Sequence, residues 1–162
     1  MFRRYALQST LALATVALLG ACASTPASRT LAGTIADTKG LSTFQQLAAE
    51  AGLTETLNAA APHTVFAPSD AAFKAVPAKT LDSLKADKTQ LKAVLSYHIV
   101  PGAFTAADIK PGNVKTLQGG NVAVARAGTF VTVEDAMVEQ ADLRATNGVV
   151  HVIDRVLMPP KK

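Results

Sequence analysis

The spacing of the apolar residues changes once along this chain, and that change sets its fold class. As far as His98 they recur at helical intervals, and from Val114 onward they alternate. Ser42 is placed to cap a helix carrying Phe44, Leu47, Ala48 and Ala51 on one face, with Gly52 ending it. Residues 64–67 read as a short strand that stops at Pro68. Ser69-Asp70 then opens a helical turn with Ala71, Ala72 and Phe73, and Asp70 sits near that turn's positive end. Thr80 starts a short helix through Leu84. Asp87 caps the next, in which Leu91, Val94, Leu95 and His98 fall at i, i+3, i+4 and i+7. Pro101-Gly102 breaks the pattern, and Thr105 with Asp108 resembles a capping box built on the shorter acid. Residues 114–117, 122–126, 130–134 and 138–145 read as strands separated by glycine-rich turns. Asn147-Gly148 predicts a type I′ hairpin, which needs positive φ at both central residues, leading into the apolar run 149–158. Helices first and antiparallel strands afterwards specify an α+β domain rather than a βαβ array.

The amino terminus carries a different signal. Arg3 and Arg4 precede an apolar stretch that closes on Leu18-Leu19-Gly20-Ala21-Cys22, which is the pattern of an export signal. Leu19-Gly20-Ala21-Cys22 also resembles the bacterial lipoprotein box, where the signal is cut just before a cysteine whose sulfur takes a diacylglycerol. Cys22 is the only cysteine in the chain. The alternative is an ordinary signal cut near Ala23 or Ala27. On the lipoprotein pattern, residues 1–21 are the signal, 22–30 a small, polar, flexible tether and 31–160 the folded domain. Removing the signal leaves 141 residues (162 − 21), enough for one core without disulfides. It also removes two arginines and no acid, so the formal charge falls from +4 to +2. A charge that small gives no footprint for nucleic acid. Membrane attachment is expected through the lipid alone. Ala23, rather than aspartate, follows the cysteine; in an envelope with two membranes this points to the outer one, with the domain facing the periplasm.

Three blocks carry a family resemblance. Thr64-Val65-Phe66-Ala67-Pro68-Ser69-Asp70-Ala71-Ala72-Phe73, Leu95-Ser96-Tyr97-His98-Ile99-Val100-Pro101-Gly102 and the stretch from Asn147 to Pro159 resemble, in order and spacing, the signature blocks of the fasciclin domain. The resemblance implies a wedge-shaped β-sandwich with helices packed against it. It also implies adhesion or protein–protein contact at cell surfaces, with no shared catalytic residues. Tandem copies are absent, so avidity from linked sites is not expected. In some animal members the tyrosine–histidine motif contributes to integrin binding. By that precedent Tyr97, His98, Ile99 and Val100 are candidate partner contacts. The competing view makes Tyr97 and His98 half-buried structural residues with hydrogen-bonded tips, and Asp70 the candidate partner of His98.

No enzyme is expected. Ser69, His98, His151, Asp70 and Asp154 supply the residue types of a hydrolase triad, but there is no Gly-x-Ser-x-Gly elbow and Ser69 is used as a cap. His63, His98 and His151 are too widely spaced to form a metal motif, and no glycine-rich loop suits a nucleotide, so no cofactor is expected. Two functions fit what is left. One is a lipid-anchored module that contacts an envelope or surface protein, or polysaccharide. The other is a receptor that holds a small ligand in a cleft of the same domain. With aromatics at 5% and no tryptophan, sugar stacking is poorly equipped and protein contact is favoured.

Overall fold

A computed structural model describes residues 29–160; the expected signal, Cys22 and most of the expected tether lie outside the described residues. The elements run α1 (Leu31–Asp37), α2 (Ser42–Glu50), α3 (Thr54–Asn58), β1 (His63–Pro68), α4 (Asp70–Ala75), α5 (Ala78–Ala86), α6 (Lys88–Tyr97) and β2 (Ile99–Pro101). They continue with β3 (Gly112–Lys115), β4 (Asn121–Ala127), β5 (Phe130–Val133), β6 (Ala136–Ala145) and β7 (Gly148–Ile153). Helices thus precede the main block of strands, as the periodicity requires. Arg29 and Thr30, just ahead of Leu31, already bond to the domain. Thr30 caps α1 through its hydroxyl, and the Arg29 carbonyl accepts from the Thr146 backbone at 2.7 Å.

The strands form one seven-stranded sheet in the order β2-β1-β7-β6-β5-β4-β3. β6 belongs to both halves. It pairs with β5 near its start and with β7 along its length, and its register shifts between Val138, Gln140 and Leu143. Such irregularities bend a strand, and here they let the sheet fold over on itself into two layers. Between the layers lie Phe66, Tyr97, Val122, Val124, Val131 and Ile153. Strand alternation then sends Val65 and Ala67 of β1, and Val150 and Val152 of β7, to the other face. There they meet Phe44, Leu47, Leu91 and Leu95 of the helices. Two cores thus share β1 and β7, which explains why residues 149–153 read as an apolar run broken only by His151. The result is the α+β sandwich with helices against it that the sequence predicts.

One expectation fails. The strands are not all antiparallel: β1 and β7 run parallel over six residues, His63 opposite Gly148 through Pro68 opposite Ile153. Strands buried on both faces suit this pairing, because helices can cover one face and the folded-over sheet the other.

The caps are partly as expected. Asp87 accepts from the backbone of Thr89 and Gln90 to start α6, and Ser69 accepts from Ala72 to start α4. α5 begins at Ala78, after Pro77, so Thr80 lies inside it. Ser42 does not cap α2, whose N-cap position is Leu41. The cap comes from another helix. Asp70 accepts the Thr43 N–H on one oxygen and the Ser42 hydroxyl on the other, both at 2.8 Å. The Thr43 N–H foremost, aided by Ser42, holds this carboxyl below the usual aspartate range. Asp70→Ala is expected to cost about 1 kcal/mol, in line with loss of a side-chain cap. Urea denaturation should register it as a lower midpoint at unchanged slope.

Candidate functional site

The tyrosine–histidine motif sits where α6 turns into β2. Tyr97, His98, Ile99 and Val100 are 2%, 0%, 0% and 1% exposed. The partner-contact expectation is corrected, since the motif presents almost no surface, and the burial is fuller than the structural expectation has it. Tyr97 donates its hydroxyl to the Asn121 carbonyl at 2.7 Å, tying α6 to β4. Burial, with the Glu134 carboxylate nearby, pushes its phenol pKa up. His98 donates Nδ1–H to the Val94 carbonyl at 2.8 Å, and its Nε2 accepts the Leu157 N–H at 2.9 Å. The second bond fixes the tautomer, because a backbone N–H can only donate. Burial drives the His98 pKa down to about 4, only partly opposed by the Val94 carbonyl. Asp70 is not its partner, being committed to the start of α2.

The other polar candidates are dispersed. Ser69 is a cap and Asp154 accepts from the Met137 backbone at 2.7 Å. His63 bonds the Ala61 carbonyl at 2.8 Å, close by in the chain. His151 stacks on Phe66 with ring centroids 5.5 Å apart. Its Nδ1 accepts from the Asp142 N–H at 3.3 Å, and its Nε2–H donates to the Phe104 carbonyl at 2.9 Å. Burial lowers the His151 pKa, against the pull of that carbonyl and of Asp142. No three histidine, cysteine, aspartate or glutamate side chains group to hold a metal among the described residues. No described helix is long and apolar enough to cross a membrane.

The geometry does reveal a site that the motifs did not. β2 and β3 are the two edges of the folded-over sheet and approach one another. Just past β3 the seam is stitched: Leu117 N–H donates to the Ile99 carbonyl at 2.7 Å, and Gln118 N–H to that of Ser96 at 3.3 Å. Elsewhere along the seam, loop 102–111 fills the gap and leaves a cleft of about 270 Å³. Phe66, Val100, Val114 and Val124 form its walls, Phe104 and Ile109 of the loop complete it, and Asp108 and Lys110 add the charged groups.

The loop is held from several strands. Thr64 Oγ1 accepts the Phe104 N–H at 2.8 Å and donates to the Gly102 carbonyl at 2.7 Å. Asp142 accepts the Ala106 N–H at 2.7 Å, and Arg126 donates to the Ala107 carbonyl at 3.0 Å. Thr105 donates its backbone N–H and hydroxyl to Asp108, so the expected capping box forms in one direction. These bonds preorganise an apolar hollow with a charged edge, suited to holding an apolar group rather than to proton transfer. The sequence signals that could have pointed to it are Phe104, a lone aromatic just after Pro101-Gly102, and the Thr105–Asp108 pair. Neither says which strands they face.

Comparison with known proteins agrees with the fold and the three blocks. The fasciclin domain model matches residues 39–159. Protein sll1483 of Synechocystis is 41% identical over 140 residues, covering 85% of this chain and 78% of that protein. The cell surface glycolipoprotein MPB83 of Mycobacterium bovis is 39% identical over 111 residues, 68% of this chain and 50% of that one. A FAS1 domain pair from the insect cell adhesion molecule fasciclin I aligns with a TM-score of 0.65 at 19% identity. That alignment covers 81% of this chain and 51% of the pair, and it is a likeness of fold. The chain thus spans about half the length of the last two. With the family model spanning the whole sheet, its seam and most of both cores, this chain belongs to the fasciclin domain family.

Proposed function

We propose that this protein is exported and lipid-anchored through Cys22, and that its fasciclin domain contacts other proteins of the cell envelope or surface. The anchor is supported by the Leu19–Cys22 sequence and by a relative named as a cell surface glycolipoprotein. With Ala23 after the cysteine, the outer membrane, with the domain facing the periplasm, is its expected address in a two-membrane envelope.

The observation that carries the contact function is the outer face of β4, β5 and β6. Register places Ala127 opposite Phe130, Ala125 opposite Thr132, and Thr132 opposite Met137, and paired residues share a face. Their neighbours Val124, Val131 and Val133 point inward. The solvent side therefore sets Phe130 and Met137, 63% and 47% exposed, among Ala125, Ala127 and Thr132, with Glu139 further along β6. Two large apolar side chains exposed side by side mark an interaction surface more often than scattered single residues do. Phe130→Glu with Met137→Glu is expected to abolish capture of envelope proteins by the purified chain while shifting the melting temperature little. Undiminished capture by that double variant would rule this face out. The anchor is tested separately, by mass spectrometry of the amino-terminal peptide. A diacylglyceryl adduct on Cys22 is expected, and a free thiol would overturn it.

A further inference from the structure

We propose that the seam cleft binds a single-chain fatty carboxylate of about eight carbons, tail inward and carboxylate on Lys110, since each methylene needs about a water's volume. The proposal rests on the cleft alone and is independent of the lipid anchor and of the β4–β6 face.

Three features favour this occupant. The first is the lining: Phe66, Val100, Ile109, Val114 and Val124 present no polar side-chain atom, so they reward a hydrocarbon and disfavour a sugar or a peptide backbone. The second is size. A volume of 270 Å³ lies just under the range usual for drug-sized ligands, which fits one short chain and excludes a two-chain phospholipid. The third is charge. Asp108 is occupied by its bonds to Thr105 and lies within electrostatic reach of Arg144. Lys110, by contrast, makes no salt bridge among the described residues. Arg126, bonded to the Ala107 carbonyl, adds a second positive charge along the same loop. Lys110, Arg126 and Arg144 stand against Asp108 and Asp142, three positive charges to two negative, so the edge keeps a net positive charge that complements a carboxylate.

The test uses the chain from residue 22 onward, made without the signal and with Cys22→Ser, so that no apolar segment, attached acyl group or detergent competes, with octanoate as probe and backbone amide shifts as the readout. Octanoate is expected to move the amides of Val100, Ile109 and Val114 and to saturate. Hexanoate should bind about tenfold more weakly, as two lost methylenes predict. Dodecanoate should gain nothing over octanoate, because the added carbons lie outside the hollow. Lys110→Gln should weaken octanoate several-fold and leave octanol unchanged, separating the charge from the tail. Val114→Phe, which fills the hollow from an edge strand, should abolish binding; if that chain does not fold, the Lys110→Gln comparison decides alone. The proposal is overturned if octanoate moves none of these amides, if chain length has no effect, or if binding survives in folded Val114→Phe. It is also overturned if phosphatidylglycerol vesicles free of fatty acid move the same amides, which would make this edge a bilayer contact.

Discussion

Gly148→Ala is expected to destabilise the domain by about 3 kcal/mol or more, the upper end of what overpacking usually costs. Gly148 opens β7 opposite His63, at the first step of the parallel pairing that joins the two cores. A β-carbon built there would lie 1.9 Å from the His63 carbonyl oxygen and 2.9 Å from its carbon. Both obstacles are backbone, so no rotamer change relieves the overlap. Either the β1–β7 ladder parts at that end or the Thr146–Asn147 turn shifts. The turn is not free to shift. Asn147 accepts the Leu31 N–H at 2.8 Å and donates to the carbonyls of Leu57 and Ala59, at 2.9 and 2.6 Å. Moving it would unseat α1 and the end of α3 together. Calorimetry should show a melting temperature lower by about 10 °C or more. Gly128→Ala is the control. Gly128 has φ +64 but nothing within 4 Å of the added carbon, so only the left-handed backbone penalty of about 1 kcal/mol applies. If Gly148→Ala melted no lower than Gly128→Ala, the close approach would have no energetic weight.

Asn147-Gly148 also shows what the sequence could and could not convey. The pair does mark the β6–β7 hairpin, but Asn147 has no positive φ, so the predicted type I′ turn does not form. Ala145 pairs with Gly148, which puts Thr146 and Asn147 at the turn. The asparagine is there for its amide and the glycine for its missing β-carbon, both demanded by segments roughly ninety residues or more away, which local turn chemistry cannot report. The same limit applies elsewhere. Helices and strands were legible because periodicity is a local property, so α2, α4, α6 and β4 to β6 lie close to where the pattern put them. The parallel β1–β7 pair, the capping of α2 by Asp70 and the seam cleft depend on contacts between distant segments. Tyr97 and His98 read as ambiguous because a buried polar residue looks like an exposed one until its partners are known. The carbonyl of Asn121 and the N–H of Leu157 supply those partners.

Acid should loosen the domain well before its carboxylates protonate. His98 has a free value of 6.5 and a folded value of about 4, so the unfolded chain takes up the proton first. The contribution of neutral His98 is fully present above about pH 6.5, falls as the pH drops below that, and is exhausted near pH 4. Over that window the loss is about 3 kcal/mol, at about 1.4 kcal/mol per pH unit where the difference is fully expressed. The physical cause is twofold: a charge would have to exist with no exposed surface, and Nε2 could no longer accept the Leu157 N–H. His151, also depressed by burial, adds loss in the same direction. Asp70, Asp87 and Asp108, held below 3.8 chiefly by the hydrogen bonds they accept, act in a lower window. Urea unfolding at several pH values between 7.5 and 4.5 should therefore show stability declining throughout, before any carboxylate term enters. His98→Gln should be about 1–3 kcal/mol less stable at neutral pH, because a buried bond is lost or strained. Its stability should also fall less steeply on acidification, leaving the His151 contribution. A wild-type stability unchanged from pH 7 to 4.5 would mean that His98 protonates without cost, and so that the α6–β2 corner opens to water.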